Sequence, residues 1–374
     1  MALLSANLLS PNKTLIPSLD LLRNPNLSPI SPLNPLLSSP PPKRLVVSAS
    51  SSSFSAAAAA SADPDLQEIT KPFPQTLSNW GEFARRVSGE WDGFGAEFTP
   101  EGNPIELPES VVPEAFREWG VEVFDWQTQC PTLASESGDP VLCYKLIKLL
   151  PTVGCEADAA TRHSVEERIA GSSEGRVSAL GFDPSGSYVA AWPVDGQGGK
   201  KLLEVEHCLV DPANKEGRVR VIQVTAAEEE GMRLEAIRVF SEQWYGPFRN
   251  GEQLGGCAIR ESGFASSSAL RVSDVVGVWQ GITSSVARFG AEQMEILQEL
   301  FPSKPGKIVR DQLGLVTLPK QLWCSFKVDD GEITGEVGWL FDHGRAITSR
   351  CLLSKDRKLK EMAFGHEIAV AEDA

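Results

Sequence analysis

Histidine is scarce in this sequence, with four residues among 374. His207 precedes Cys208 in an alternating run, so the two side chains point to opposite faces of a strand and cannot form a catalytic pair. His163 and His343 are predicted to lie in a polar loop and a turn, and His366 in a terminal strand. The chain has no G-x-x-x-x-G-K-[ST] phosphate loop and no G-x-G-x-x-G fingerprint. We therefore predict a non-enzymatic protein with no catalytic residues, no metal site and no cofactor.

Long apolar runs and an excess of basic residues are also missing. No run approaches the roughly 20 apolar residues that a membrane-spanning helix needs, so we expect no membrane span. Acidic residues outnumber basic ones by 50 to 35, which gives a formal charge of -15. Nucleic-acid binding depends on clustered lysine and arginine, so this balance argues against a nucleic-acid partner.

Cysteine is too scattered to form a disulfide framework. The seven cysteines are an odd set, and no pair has the C-x-x-C spacing of a zinc or redox site. Five of them fall in strand-like runs, where a free cysteine behaves as a small buried hydrophobe. These five are Cys130, Cys143, Cys208, Cys324 and Cys351. Free thiols of this kind fit a reducing compartment.

The first 62 residues differ in composition from the rest of the chain. They contain one acidic residue, four basic ones and many Ser, Pro and Leu, so this segment carries +3 and leaves -18 on the remaining chain. A hydroxyl-rich, acid-poor leader is typical of an organelle transit peptide, and this one lacks the Arg-rich amphipathic helix of mitochondrial leaders. We predict a chloroplast transit peptide and disordered linker over residues 1–62. An ordinary disordered tail is the alternative.

Beyond the leader, polar and apolar residues alternate with period two, which predicts an all-β fold with antiparallel meanders. Strands are predicted at residues 121–130, 203–209, 219–225, 234–240, 322–328, 332–341, 346–353 and 359–370. Sheets of this length usually close into barrels, because closure removes the exposed edges. Helix is predicted at residues 76–87 and 291–301, where apolar residues recur three and four apart.

A seven-residue pattern, V-x-G-x-W-x-G, occurs at residues 87–93 and again at 275–281. Glycine lets the backbone bend or be approached closely, and the tryptophan two residues later can plug one end of a closing barrel. Gly89 with Trp91, and Gly277 with Trp279, are therefore predicted to mark the starts of two barrels. Chance recurrence of the pattern is the alternative.

The repeat also predicts the division of the chain into domains. The first barrel is predicted at residues 73–265 and a smaller second barrel at 270–374. The boundary is expected within residues 263–273, because this stretch is small, polar and rich in serine.

Aromatic residues cluster at a predicted turn, residues 243–251. Trp244, Tyr245, Phe248 and Arg249 stand among turn-forming residues and do not alternate as the core residues of a strand would. Aromatic and arginine side chains concentrate binding energy at protein interfaces. We therefore take these four as candidate partner-binding residues. The alternative is that the loop folds back over the mouth of the barrel.

The leader, the two G-x-W starts and the sequence PEAFREWGVEVFDWQT at residues 113–128 together resemble a plant family. This family comprises the biogenesis factors required for assembly of the chloroplast ATP synthase. The similarity runs from about Phe73 to the C terminus. The resemblance implies two lipocalin-like (calycin) barrels in tandem. It also implies a stromal assembly factor that binds the β and γ subunits of the catalytic head, and it brings no catalytic residues.

Calycin barrels often hold hydrophobic ligands, so a plastid binder of a hydrophobic or tetrapyrrole ligand is the second hypothesis. An aromatic-lined cavity inside either barrel would favour that ligand binder. Barrels filled by their own side chains, with an apolar patch or groove between them, would favour the assembly factor.

Overall fold

The computed structural model describes residues 76–136, 139–153, 161–171, 175, 177–228, 231–252, 263–290, 296–329, 331–354 and 356–370. The predicted leader, residues 1–62, lies outside the described residues. The described residues all belong to one unit, Ile69–Ala374. No helix in the described ranges is long and apolar enough to cross a membrane.

Strands dominate the described part of the chain. The first ten are β1 (Glu90–Phe98), β2 (Trp126–Gln129), β3 (Thr132–Ala134), β4 (Leu142–Leu149), β5 (Arg162–Ala170), β6 (Ala179–Phe182), β7 (Tyr188–Asp195), β8 (Lys201–Val210), β9 (Gly217–Glu228) and β10 (Gly231–Gly246). The others are β11 (Gly277–Arg288), β12 (Leu297–Glu299), β13 (Phe301–Pro302), β14 (Lys307–Arg310), β15 (Leu315–Leu318), β16 (Leu322–Asp329), β17 (Glu332–Leu340), β18 (Arg345–Ser354) and β19 (Leu359–Ala369). The helices are α1 (Thr76–Val87) and α2 (Glu114–Glu118).

These strands form two sheets. The first has 11 strands in the order β12-β6-β7-β8-β9-β10-β1-β2-β4-β3, with β5 also paired to β4. The second has 8 strands in the order β13-β11-β19-β18-β17-β16-β15, with β14 also paired to β11. Pairing between strands is antiparallel except between β12 and β6, which are parallel. The all-β prediction is confirmed, and the second half of the chain forms the meander that the alternation predicts.

Helix α1 has the predicted bounds, and its spacing explains its position. Its buried residues recur three and four apart: Trp80, Phe83, Ala84 and Val87. The ring centre of Phe83 lies 5.1 Å from that of Phe182 on β6. The apolar face of the helix therefore packs against the core of the first sheet.

The second predicted helix, residues 291–301, is wrong over the part that the structure describes. Residues 291–295 lie outside the described ranges, and the chain then forms β12 and β13. Leu297 pairs with Leu180 of β6, so hydrogen bonds to a sheet edge replace those of a helix. Leu297 packs on one core cluster and Leu300 lies in another. The apolar spacing therefore serves two separate cores and does not mark a single helix face.

The predicted strand at residues 121–130 is correct only in its second half. Strand β2 begins at Trp126, and α2, which the sequence did not predict, precedes it. The connecting segment is held by single backbone bonds, from the Val121 N–H to the Phe116 carbonyl and from the Leu107 N–H to the Val123 carbonyl. These residues serve a small satellite core around Trp126, and their alternation does not extend the sheet.

The largest hydrophobic cluster joins the two sheets. From the first sheet it includes Val205 on β8 and Val221 on β9, and from the second it includes Val337 on β17 and Cys351 on β18. Alternate residues of β8 and β9 point the other way, into the concave side of the first sheet. Both faces of these strands are therefore buried.

The predicted domain boundary runs through this shared core. Phe264 and Ala265 are buried in the cluster, and the Ala265 N–H donates to Asp125 Oδ1 at 3.1 Å. Residues 253–262 lie outside the described ranges. Strand β12, from the predicted second barrel, adds to the first sheet. The division at residues 263–273 stays a prediction.

Candidate functional site

The concave side of the first sheet is filled with ion pairs. Arg218 Nε lies 2.6 Å from Glu242 Oε2, and Arg220 Nη2 lies 2.8 Å from Glu242 Oε1. Arg220 Nη1 is also 2.9 Å from Glu206 Oε1. All four side chains are almost completely buried. A buried charge needs a partner because desolvation is costly, and this chain of alternating signs gives each of the four groups a partner of opposite charge. Arg218 Nη1 is buried without a hydrogen-bond partner within the described ranges.

Glu206 is the centre of this network. Its oxygens accept hydrogen bonds from Tyr188 Oη and Trp192 Nε1, both at 2.9 Å, and from Tyr144 Oη. Burial raises its pKa, but the guanidiniums of Arg220 and Arg168 outweigh burial and lower the pKa to about 2. Glu206 therefore stays ionised and fully hydrogen-bonded at neutral pH.

The tryptophan of the first V-x-G-x-W-x-G pattern contacts this buried network. Trp91 is 1% exposed, and its Nε1 donates to the Val87 carbonyl at 2.9 Å. The Arg218 guanidinium lies 4.2 Å from the Trp91 ring centre, within cation–π range. Gly89 has a φ of 145°, in the region that favours glycine, and the Trp244 indole occupies the space of its missing Cβ.

The second copy of the pattern repeats this arrangement. Trp279 is also 1% exposed, and its Nε1 donates to the Val275 carbonyl at 2.7 Å. The Arg310 guanidinium lies 5.3 Å from the Trp279 ring centre. Gly277 has a φ of 133°. The two patterns therefore occupy matching places at the start of β1 and β11.

Arg310 forms buried ion pairs on the second sheet, as Arg218 and Arg220 do on the first. Its Nη2 lies 2.7 Å from Glu336 Oε1, and its Nη1 lies 2.7 Å from Glu367 Oε2. The guanidinium also lies 5.4 Å from the ring centre of Trp323, which is completely buried. Each sheet therefore carries a buried cluster of arginine, glutamate and tryptophan.

The predicted partner-binding residues lie at the end of β10 and in the loop after it. Trp244 is half-buried, and its Nε1 donates to the Ser88 carbonyl at 3.3 Å, so it packs over the start of β1. Tyr245 is 49% exposed, the Arg249 side chain is exposed, and Phe248 is half-buried.

The backbone of this loop is tied to the first sheet. The Glu90 carboxylate accepts hydrogen bonds from the backbone N–H groups of Arg249 and Gly251. The loop therefore combines residues that hold it against the sheet with an exposed tyrosine and arginine.

A groove of about 640 Å³ opens between the two sheets. One wall is formed by α1 and by the turns that follow β6 and β8, and the other by β11, β18 and β19. Leu300, Ile347 and Phe364 give it an apolar side. No sequence motif marked this groove, because its walls come from segments far apart in the chain.

Glu299 is the most buried acidic residue of the groove, at 4% exposed. Its Oε1 accepts a hydrogen bond from Asn79 Nδ2, and its Oε2 has no partner within the described ranges. Burial raises the pKa of Glu299, and the nearby Asp183 raises it further. Burial lowers the pKa of His366, which Asp183 partly counteracts. These three groups are therefore close enough to interact electrostatically.

The histidines that the structure describes have separate environments. His163 lies on β5, so the predicted loop is wrong here, and its ring stacks on Trp126 with ring centres 4.8 Å apart. His207 is completely buried at the junction of the sheets, where its Nδ1 lies 2.7 Å from Ser349 Oγ. Within the described ranges, no group of three His, Cys, Asp or Glu residues could hold a metal ion. The side chain of His343 lies outside the described part.

The five cysteines predicted to behave as small hydrophobes are free thiols. Four of them are buried, and Cys143 is half-buried. Burial raises the pKa of Cys208 and of Cys351 to about 12, which keeps these thiols protonated and unreactive at neutral pH.

Two features were missed from the sequence. The buried charges could have been found, because Glu204 and Glu206 share one face of a predicted strand. Arg218, one residue before the next predicted strand, and Arg220 within it share a face in the same way. The second feature is Trp119, which follows α2 and is 64% exposed. Only an unpredicted helix places it on the surface, so no local signal revealed it.

Comparison with known proteins finds similarity among the solved structures. No protein-family model matches the chain, and a search of curated proteins also finds no match. Among solved structures, the chain is similar to a protein of unknown function from the DUF3598 family of Nostoc punctiforme. The two share 14% identity with a TM-score of 0.46, over 78% of this chain and 99% of that one.

Proposed function

We propose that the protein is a non-enzymatic assembly factor for the catalytic head of the chloroplast ATP synthase. It acts in the chloroplast stroma, after removal of the leader, by binding the β and γ subunits of the head before the enzyme is complete. We propose that each sheet, with its own G-x-W start, is a lipocalin-like barrel, and that the two lie in tandem.

One observation carries this proposal: each sheet buries its own cluster of charged and aromatic side chains, while an open groove lies between the sheets. A ligand entering the first sheet would have to displace Arg220, which bonds Glu206 and Glu242 together. Separating one partner from such a buried pair is strongly unfavourable, by about 3–5 kcal/mol. Binding at exterior surfaces avoids that loss.

Charge supports a protein partner of opposite sign. The chain after residue 62 carries -18, and the exposed Tyr245 and Arg249 provide anchor types that are common at interfaces. An acidic surface accelerates encounter with a basic partner, and salt weakens that attraction over a Debye length of about 8 Å. The γ subunit of rotary ATP synthases offers such basic stretches.

The size and the apolar side of the groove also admit a second candidate function, binding of a hydrophobic or tetrapyrrole ligand. Its volume of about 640 Å³ is within the range of small-molecule sites, and Leu300, Ile347 and Phe364 line it. Such a ligand would lie between the sheets and not inside either one.

Affinity capture from chloroplast stroma tests the proposal. The tagged protein without its leader is captured, and bound proteins and small molecules are identified by mass spectrometry. We expect the β and γ subunits to be recovered without an extractable small molecule. Recovery of a pigment or lipid, with no head subunit, would instead support the ligand binder. Normal ATP synthase levels in plants lacking the protein would exclude the assembly role.

A further inference from the structure

The groove between the sheets contains an unpartnered acceptor. Glu299 lies at the end of β12 and is 4% exposed, and its Oε1 already accepts the Asn79 amide. Its Oε2 is buried without a hydrogen-bond partner in the described part of the chain. A buried carboxylate oxygen without a hydrogen bond is unfavourable until a donor reaches it.

The charges around this oxygen favour a cation. Asp183 lies close enough to raise the pKa of Glu299, so the two carboxyl groups repel each other when both are ionised. Four acidic side chains line the groove, against Arg86 and Lys215 as the basic ones. Arg86 is already paired with Glu82 at 3.5 Å. A cationic group entering the groove would relieve the repulsion and supply the missing donor.

The free acceptor suits an ammonium better than a guanidinium. Arginine binds a carboxylate best through both oxygens at once, and Asn79 already occupies one oxygen of Glu299. Lysine acts as a point charge and needs only one oxygen. Its methylene stem would also pack along the apolar wall formed by Leu300, Ile347 and Phe364.

We propose that the groove binds a lysine-bearing segment of a partner protein, with the lysine ammonium on Glu299 Oε2. This inference rests on the proposed function, because it assigns the place where a basic segment of an ATP synthase head subunit docks. The volume of about 640 Å³ accommodates several side chains, so the lysine enters together with its chain neighbours.

The first test uses a fluorescein-labelled Gly-Ala-Lys-Ala-Gly peptide and a matched peptide with acetyl-lysine, which keeps the shape and removes the charge. Binding to the protein is followed by fluorescence anisotropy. We expect the lysine peptide to bind roughly tenfold more tightly, since a hydrogen bond between charged groups is lost in the other. Equal affinity of the two peptides, or no binding of either, would overturn the proposal.

Variants locate the binding. Glu299→Gln removes one charge, and Glu118→Gln removes the same charge from the exposed surface of α2. Thr283→Trp fills the groove with bulk and leaves Glu299 in place. We expect Glu299→Gln and Thr283→Trp each to weaken lysine-peptide binding roughly tenfold, and Glu118→Gln to leave it unchanged. An equal effect of both Gln variants would mean non-specific charge attraction and would refute the site.

Capture of head subunits separates this inference from the function. Loss of β and γ recovery in Thr283→Trp, with a normal melting temperature, supports both. Equal recovery by the parent and both groove variants refutes the groove and leaves the function standing. Lysine-peptide binding that depends on Glu299, with no head subunit recovered by the parent, refutes the function and leaves the groove. A small molecule that is captured with the parent but not with Thr283→Trp would identify a different occupant of the groove and refute the proposed peptide site.

Discussion

The Arg218 guanidinium lies 4.2 Å from the centre of the Trp91 ring, with both side chains buried inside the first sheet. Arg310 and Trp279 repeat the relationship in the second sheet at 5.3 Å. In each case the tryptophan donates its indole N–H to the carbonyl four residues earlier. The repeated sequence pattern thus corresponds to a repeated structural unit. In each copy a buried arginine lies over the indole ring, and the indole N–H bonds the backbone of the preceding turn of chain.

Trp91→Ala and Trp279→Ala should each destabilise the protein by about 3–5 kcal/mol, because each removes a large aromatic from a core. Denaturant unfolding measures the effect. Trp119→Ala is the matched control, since Trp119 is 64% exposed and its loss should change the stability by less than roughly 0.5 kcal/mol. If both core variants unfolded at the same denaturant concentration as the parent, the two tryptophans would not have the predicted structural role.

Arg220→Met should destabilise the protein by about 3–5 kcal/mol, because it breaks the buried ion pairs with Glu206 and Glu242. Each carboxylate then keeps a single arginine, Arg168 or Arg218, in a desolvated site. The exposed pair of Lys201 and Asp195 provides the control, and Lys201→Met should have little effect. Adding Glu206→Gln to the Arg220 variant should recover part of the lost stability, because it removes the charge of a buried carboxylate that has lost one arginine partner. A double variant no more stable than Arg220→Met would show that the two residues are not coupled.

Stability should fall as the pH drops through the range set by His207. Burial lowers the pKa of His207 to about 4 from 6.5, so the unfolded chain binds a proton that the folded chain refuses. The native state therefore loses stability between about pH 6.5 and 4, by roughly 3 kcal/mol in total.

His207→Gln removes this titration, so its unfolding free energy should vary less with pH than that of the parent over the same range. Comparison with the parent cancels the contribution of the carboxylates to the pH dependence. These include Asp92, whose pKa burial raises to about 6. Urea unfolding at several pH values measures both proteins. Parallel pH curves would mean that His207 does not titrate in this range.

Tyr245→Ala and Arg249→Ala should increase the dissociation rate of a bound head subunit, if the loop after β10 is the anchor. Both side chains are exposed, so their removal should leave the melting temperature unchanged. Trp244→Ala is a poorer test, because this residue packs over Gly89 and its loss would also weaken the fold. Unchanged dissociation in both variants would remove the loop from the interface.

Local chemistry allowed much of the fold to be predicted from the sequence. Residues 98–102 and 182–186 each contain a proline followed two residues later by a glycine, a pattern that favours a turn. In the structure, the N–H groups of Gly102 and Gly186 donate to the carbonyls three residues earlier, at 2.9 and 3.0 Å. The alternation in β8 and β9 was also correct. It could not reveal that Glu206 and Val205 are both buried, since this depends on a second sheet covering the outer face.

The features that the sequence did not predict correctly depend on contacts between segments far apart in the chain. Leu297 meets an edge of the first sheet formed by Leu180, more than one hundred residues earlier in the chain, and no local pattern encodes that pairing. The groove has the same origin, because Asn79 and Glu299 meet only in the folded chain. Sequence reasoning found the repeated tryptophans because their partner atoms lie four residues away.

Direct binding of the purified protein to isolated ATP synthase β and γ subunits tests the central claim most closely. Biolayer interferometry would record association and dissociation at several salt concentrations. We expect saturable binding to at least one of the two subunits. The association rate should fall as the salt concentration rises, because the chain after residue 62 carries a net charge of -18. No saturable binding to either subunit at low salt would contradict it.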